Sequence, residues 1–297
     1  MRSRKALILS IILIFTLLIS FPAYANMAAP REDDIATGIT FERSSELSVI
    51  DEVLDIKIEG PKAKIKATYK MKNTSSTPVS TKSMFISPNI EESGTEVLMN
   101  DKALEYQNES YYIKYSTKAK VEEWKFILDD TDNTNEYSPR VDTIMFNMDF
   151  KANEEAVITV SYIYSLGGYA DYDDNAKYGS LKYYLSPAAM WKDYGGITIN
   201  LELDKDMPVL KESNIDFISL GERKYQFKSD TIPTSELELK VDQSHWQEFI
   251  TQFNSPYFWA SALMIGTPIL IILAIITVIV VLAIVIRKKR RKEHKCE

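Results

Sequence analysis

From Phe258 to Ile286 the chain carries no charged residue, and it then meets Arg287-Lys288-Lys289-Arg290-Arg291-Lys292. A hydrocarbon core about 30 Å thick takes roughly 20 apolar residues of helix, and Lys/Arg clusters mark the cytoplasmic end of such a span. The pattern predicts a transmembrane helix over 257–286 in contact with lipid and a basic cytoplasmic tail over 287–297, with the bulk of the chain facing outward. Tyr257, Phe258 and Trp259 fall where an aromatic belt meets the headgroups, and Arg287, Lys288 and Lys289 where the inner interface lies. Pro268 predicts a kink in the helix, its freed backbone groups satisfied near Thr267.

The other end is also apolar. Arg2, Arg4 and Lys5 precede an uncharged run from Ala6 to about Phe21, then Pro22 and Ala23-Tyr24-Ala25. A charged start, a short apolar middle and a small-x-small ending predict a signal peptide over 1–25, with cleavage favoured over a retained anchor. Both readings give one location: a single-pass protein of the cell membrane, its N-terminal domain extracellular and its C-terminus cytoplasmic.

Charge divides between the compartments. Setting aside three basic residues before Asn26, and seven basic and two acidic residues after Ile286, leaves 25 basic and 40 acidic residues, a net of −15. An acidic exported surface argues against nucleic acid as a partner. The only cysteine is Cys296, in the tail, so the exported part must hold together without disulfides. A disulfide-free exported domain on a retained anchor points to a bacterial cell surface.

Between the ends the pattern is strand-like. Lys62–Lys72 alternates strictly, with Ala63, Ile65, Ala67, Tyr69 and Met71 on one face and lysines and Thr68 on the other. Leu47–Ile58 precedes it with Val53, Ile56 and Ile58 as core candidates, joined through a Glu59-Gly60-Pro61 turn. Further short runs are read at 78–86, 96–99, 110–116, 121–128, 141–150, 156–165, 180–186, 197–203, 215–220, 224–228 and 236–241. This predicts a mainly β chain, an exported β-sandwich-like domain or domains plus one C-terminal transmembrane helix. Helical turns are expected only at 118–125 and 243–252, the latter capped around Asp242-Gln243-Ser244. A break near 166–178, with Gly167-Gly168 and an acidic, tyrosine-rich stretch, divides the ectodomain into parts at 26–165 and 166–256, or marks a long loop within one domain.

Asn26-Met27-Ala28-Ala29-Pro30, Ile39-Thr40-Phe41-Glu42, the run Leu47–Ile56, Tyr69–Thr74, and Tyr184-Leu185-Ser186-Pro187 followed by Trp191 resemble a group of uncharacterised bacterial exported proteins with a β-rich ectodomain. The resemblance implies an exported β-sandwich and no assigned activity.

Candidate chemistry is sparse. The exported part has one histidine, His245, beside Trp246, with no G-x-S-x-G, HExxH or CxxC pattern to give it nucleophilic or zinc chemistry. Two carboxylate-rich runs, Asp129-Asp130-Thr131-Asp132 and Asp171-Tyr172-Asp173-Asp174-Asn175, offer hard oxygen donors at alternating positions. Asp129, Asp130, Asp132, Asp171, Asp173 and Asn175 are therefore candidate calcium ligands, although solvated turns account for the same composition. No other cofactor is expected. Tyrosines concentrate between 162 and 194, and Tyr169, Tyr172 and Trp191 are the candidates for a binding surface, since amphipathic rings combine apolar area with a polar handle. Paired carboxylates could hydrolyse a glycan if they stood roughly 5 to 10 Å apart.

The sequence thus predicts a non-catalytic, membrane-anchored module for extracellular recognition, assembly or envelope sensing, with a membrane or cell-envelope protein as partner. The alternatives are a carboxylate-dependent cell-wall glycan hydrolase and a structural accessory subunit of a membrane complex.

Overall fold

A computed structural model describes residues 27–32, 38–42, 44–115, 126–129, 139–169, 177–231, 233 and 236–293. In chain order the strands are β1 (Met27–Glu32), β2 (Gly38–Glu42), β3 (Leu47–Glu59), β4 (Lys62–Asn73), β5 (Val79–Ser87), β6 (Glu96–Met99), β7 (Lys102–Ala103), β8 (Tyr106–Tyr115) and β9 (Phe126–Asp129). They continue with β10 (Arg140–Phe150), β11 (Glu155–Ser165), β12 (Tyr178–Tyr183), β13 (Ile197–Glu202), β14 (Val209–Ser213), β15 (Ile218–Gly221), β16 (Lys224–Ser229) and β17 (Leu237–Asp242). A 3-10 turn, Ser186–Met190, follows β12, and two helices, α1 (His245–Asn254) and α2 (Pro256–Glu293), follow β17.

The alternation over 62–72 folds as a half-buried strand: Ala63, Ile65, Ala67, Tyr69 and Met71 are each at most 2% exposed. β3 and β4 form an antiparallel hairpin through Gly60, whose φ of +59° suits a residue without a Cβ. β4 then pairs with β11 over eleven residues, from Glu155↔Lys72 to Ser165↔Lys62. The lysines of the outer face meet carboxylates, Lys64 with Glu59 at 2.7 Å and Lys70 and Lys72 with Glu155 at 3.3 and 3.1 Å. Such exposed pairs add little stability.

These strands are the centre of an eight-stranded sheet ordered β15-β16-β13-β3-β4-β11-β6-β7, in which β13 joins β3 in parallel. Strands from both sides of the 166–178 break therefore share one sheet. Both stretches belong to one compact unit ending at Asp242, while the residues from Gln243 onward belong to a second. β12, β17 and β14 make a three-stranded sheet, and β1, β2, β9, β8, β10 and β5 close into a barrel.

The chain is mainly β, as its patterning predicts, and layered like a sandwich, but one layer closes on itself. β5 over 83–87 and β10 over 143–146 are buried on both faces for this reason. Phe85, Ile144, Phe146, Met148 and Phe150 point to the main core with the inner faces of the other two sheets, whereas Met84, Ile86, Val141 and Met145 point the other way, with Tyr111, Ile113 and Leu128. Alternation along two shared strands thus feeds two apolar clusters.

Ser244 caps α1 at its N-terminus: its Oγ accepts from Gln247 N and the Gln247 side chain returns to the Ser244 backbone. α2 contains a stretch, Pro256–Arg287, long and apolar enough to cross a membrane; its most apolar 18 residues have a mean hydropathy of 3.7 and none of them is buried. It runs through Pro268, and Thr267 Oγ1 donates to the carbonyl of Leu263.

Candidate functional site

Two places concentrate polar chemistry in the β unit, one open and one sealed. The sealed one begins with an irregularity in β3. Up to Val49 the odd positions face the core, but the register with β4 slips between Val49 and Asp51. Such a bulge moves one residue out of step and exchanges the faces of everything after it. Downstream the even positions face inward, so Leu54, Ile56 and Ile58 are buried and Glu52 joins them at 2% exposure. Val53, expected in the core, lies on the opposite face and is half-buried.

A buried carboxylate needs partners. Tyr194 donates to Glu52 Oε2 at 2.8 Å and Tyr183 to Oε1 at 3.1 Å. The Tyr183 hydroxyl has one proton and gives it to Glu52, so Tyr69, 3.2 Å away, donates to Tyr183. Burial pushes the Glu52 carboxyl up to about 7, against the lowering effect of the hydrogen bonds from Tyr194 and Tyr183. The same burial, with the neighbouring Glu52 charge, raises Tyr69 and Tyr194, which stay protonated donors.

The strand entry to β13 is shaped to deliver Tyr194. Val49 N donates to Asp193 O, Gly195 N to Val49 O and Glu52 N to Gly196 O, at 2.9 to 3.0 Å. A Cβ at Gly195 would collide with the Ile50 carbonyl, and Gly196 has a φ of +136°. Gly195 is needed for this close approach to the bulge, and Gly196 for its backbone conformation beside Ser229 of β16. Glu236 is a second buried acid, its carboxyl raised mainly by burial while it accepts from Leu185 N.

The open place is a cleft of about 490 Å³ on the barrel side, lined by the Asn89–Glu92 turn after β5, by Asn108–Ser110 of β8 and by Arg140, Asp142 and Thr143 of β10. Asp142 organises it. One carboxylate oxygen accepts from Ile90 N at 3.0 Å and the other from Ser110 Oγ at 2.7 Å, while Arg140 donates to Ser110 Oγ at 3.0 Å. Glu91 is clamped by Lys62 at 2.6 Å and Ser165 at 2.7 Å, and its carboxyl is lowered by the bond from Lys62 first and from Ser165 second. Glu92 and Glu109 are exposed at the rim. The same turn lines a neighbouring, shallower cleft of about 680 Å³ with Ser165, Leu166 and Gly167. Four carboxylates face one guanidinium, a lining suited to a polar ligand with positive charge.

The residues singled out by composition lie elsewhere. Trp191 is 1% exposed and belongs to the main core, so it cannot form a binding surface; beside it Lys192 N pairs with Leu47 O. Tyr169 is half-buried and packs against that same core. Tyr172, Asp130, Asp132, Asp171, Asp173 and Asn175 lie outside the described residues, as do the signal peptide and the helical turn expected at 118–125. Asp129 closes β9, paired with Gly38 and Tyr112. Among the described residues no group of three or more Asp, Glu, His or Cys side chains is arranged to hold a metal. Tyr257, Phe258 and Trp259 open α2 with their rings exposed, and Arg287 to Lys289 continue the same helix.

No protein-family model matches the chain, and no curated protein does. It is similar to a solved structure from Legionella pneumophila described as a "putative nutrient binding protein", at 13% identity and a TM-score of 0.47, with 80% of this chain and 79% of that one covered. That likeness is too distant to bear on function.

Proposed function

We propose that the protein is a non-catalytic recognition module, exported to the outer face of a membrane, anchored there by α2 with its basic tail in the cytoplasm, and binding a polar, cation-bearing ligand or envelope-protein segment in the cleft around Asp142. The cleft carries this reading: it is open, it is built by three separate segments, and its central carboxylate is held in place by two donors. Rigid polar groups in a concavity on a sheet scaffold are what specific recognition requires.

The hydrolase alternative asks for a carboxylic acid with a raised pKa opening onto substrate. Glu52 and Glu236 are raised, but they are buried in the core, and Glu91 at the cleft is lowered. These observations favour binding over hydrolysis.

Photo-crosslinking in intact cells tests the proposal. A crosslinking residue at Asn108, in the cleft, is expected to give a reproducible product that Asp142→Asn or Glu109→Gln diminishes, while one at exposed Lys224 gives none. Equal products from both positions, or none from Asn108, would sink it.

A further inference from the structure

α1 carries its apolar residues on one side. Trp246, Phe249, Ile250 and Phe253 recur at helical spacing and span about 100° of the wheel, while Gln247, Glu248, Thr251 and Gln252 fill the remainder. All four large apolar side chains are 41% to 69% exposed, and no residue of the helix is buried. Exposed apolar area of that density marks a surface that something covers.

The helix also continues into the one that is apolar enough to cross a membrane. Only Ser255 separates α1 from α2, and its N–H donates to Gln252 O at 3.1 Å. A run of ring contacts crosses this junction: Trp246 stacks on Phe249 with centroids 5.7 Å apart, Phe249 on Phe253 at 6.0 Å, and Phe253 meets Phe258 and Trp259 at 5.7 and 4.9 Å. The exposed face of α1 is therefore continuous with the first turn of α2, where Tyr257, Phe258 and Trp259 stand at the expected headgroup level.

The geometry points to a lipid surface as the occupant of this face: α1 lies in the outer interface of the membrane that α2 crosses, its four apolar side chains in the acyl boundary and its polar side in water. Between Gln243 and Ile286 there is no lysine or arginine. Adsorption therefore rests on apolar area, aromatic rings included, and does not require anionic lipid. The capping box at Ser244 suits this role, because it satisfies the helix's first donors where the helix emerges from water.

Spin labels on the full-length chain test the inference. With Cys296→Ser as background, single Phe249→Cys, Phe253→Cys, Gln247→Cys and Thr251→Cys variants are labelled and reconstituted into phosphatidylcholine vesicles. Collision with oxygen, which partitions into lipid, and with a water-soluble nickel chelate is then measured. Labels at 249 and 253 are expected to favour oxygen several-fold, and those at 247 and 251 the chelate, with the same profile when phosphatidylglycerol is added. Equal access of the chelate to all four positions overturns the inference, as does protection of 249 and 253 from both reagents, which would mean a protein occupant. An Ile275→Cys label reports separately on whether α2 crosses the bilayer.

Discussion

The Tyr194 hydroxyl donates to Glu52 Oε2 at 2.8 Å, which ties the segment entering β13 to the inward face that the β3 bulge creates. The pair stands in the middle of the sheet, where Glu52 is directly opposite Ile197 of β13 and Tyr69 of β4. Its chemistry gives the fold a dependence on pH.

Burial holds the Glu52 carboxyl at about 7 in the folded chain, against an ordinary 4.5. Below pH 4.5 the group is protonated whether folded or unfolded, and the contribution is complete. Between 4.5 and about 7 the unfolded chain ionises first, so stability falls as pH rises, by on the order of 3 kcal/mol once both are passed. Glu52→Gln is expected to flatten this part of the profile. Denaturant unfolding of both proteins in detergent at pH 4.5 and pH 8 measures it, and an unchanged slope in the variant would show that the carboxyl is not the source.

Tyr183→Phe and Tyr194→Phe each remove one donor to a buried carboxylate, expected to cost about 1 to 3 kcal/mol at neutral pH. Because the hydroxyls act on one group, the two losses should not add. A double-mutant cycle by chemical denaturation decides it, and strict additivity would mean that the hydroxyls act independently.

Gly195→Ala places a methyl group against the Ile50 carbonyl. The backbone must open there, so the hydrogen bonds from Gly195 N to Val49 O and from Tyr194 to Glu52 are expected to weaken together. Hydrogen exchange at the amides of 49, 52 and 195 should speed up in the variant, and unaltered protection would contradict the close approach.

Trp191 fills core volume, and its indole N–H has no hydrogen-bond partner among the described residues. Truncation to alanine should cost about 3 to 5 kcal/mol through the cavity it leaves, whereas Trp191→Phe, which drops the orphaned donor, should cost distinctly less. Thermal unfolding of the two variants compares them. Similar losses would imply that the N–H is satisfied.

Ser244→Ala removes one half of the capping box of α1. A loss of about 1 kcal/mol of local helix stability is expected, read as faster amide exchange over 245–248 with the β strands unaffected. Exchange unchanged at those amides would leave the cap without a role.

Much of the architecture is legible in the residues themselves. Strict alternation in β4 leaves one face apolar, and the Glu59-Gly60-Pro61 turn closes the hairpin as read. The apolar run after Tyr257 announces α2 by length alone. β14 carries no strand signal because Val209-Leu210-Lys211-Glu212-Ser213 lacks a fully buried face, and β1 none because Pro30 cannot donate to a ladder and argues against a strand. Barrel closure depends on pairings between β1 and β5 and between β2 and β9, far apart in the chain, that no local pattern encodes.

The site was less legible than the fold. Glu52 is in phase with Leu54, Ile56 and Ile58, and that charged residue in an apolar series is the signal that could have drawn attention to it. The bulge at Ile50 has no local marker, so the face of Glu52 could not be fixed from spacing. Gly195-Gly196 announces a close approach without naming its partner. The cleft draws on residues from three strand regions, and Asp142 looks like any polar position on a strand until Ile90 and Ser110 arrive beside it.

The parallel pairing of β3 with β13 has a cost in time. Residues 52–57 of β3 wait for partners 145 positions later in the chain. Until β13 emerges, one edge of the central hairpin offers its free amides and carbonyls, together with the apolar face below them, to whatever strand is nearest. Contacts so distant in the chain close slowly. During synthesis this protein therefore needs its early strands kept apart from one another and from other chains, and mutations that slow the arrival of the 192–202 segment should show as aggregation before they show as lost stability.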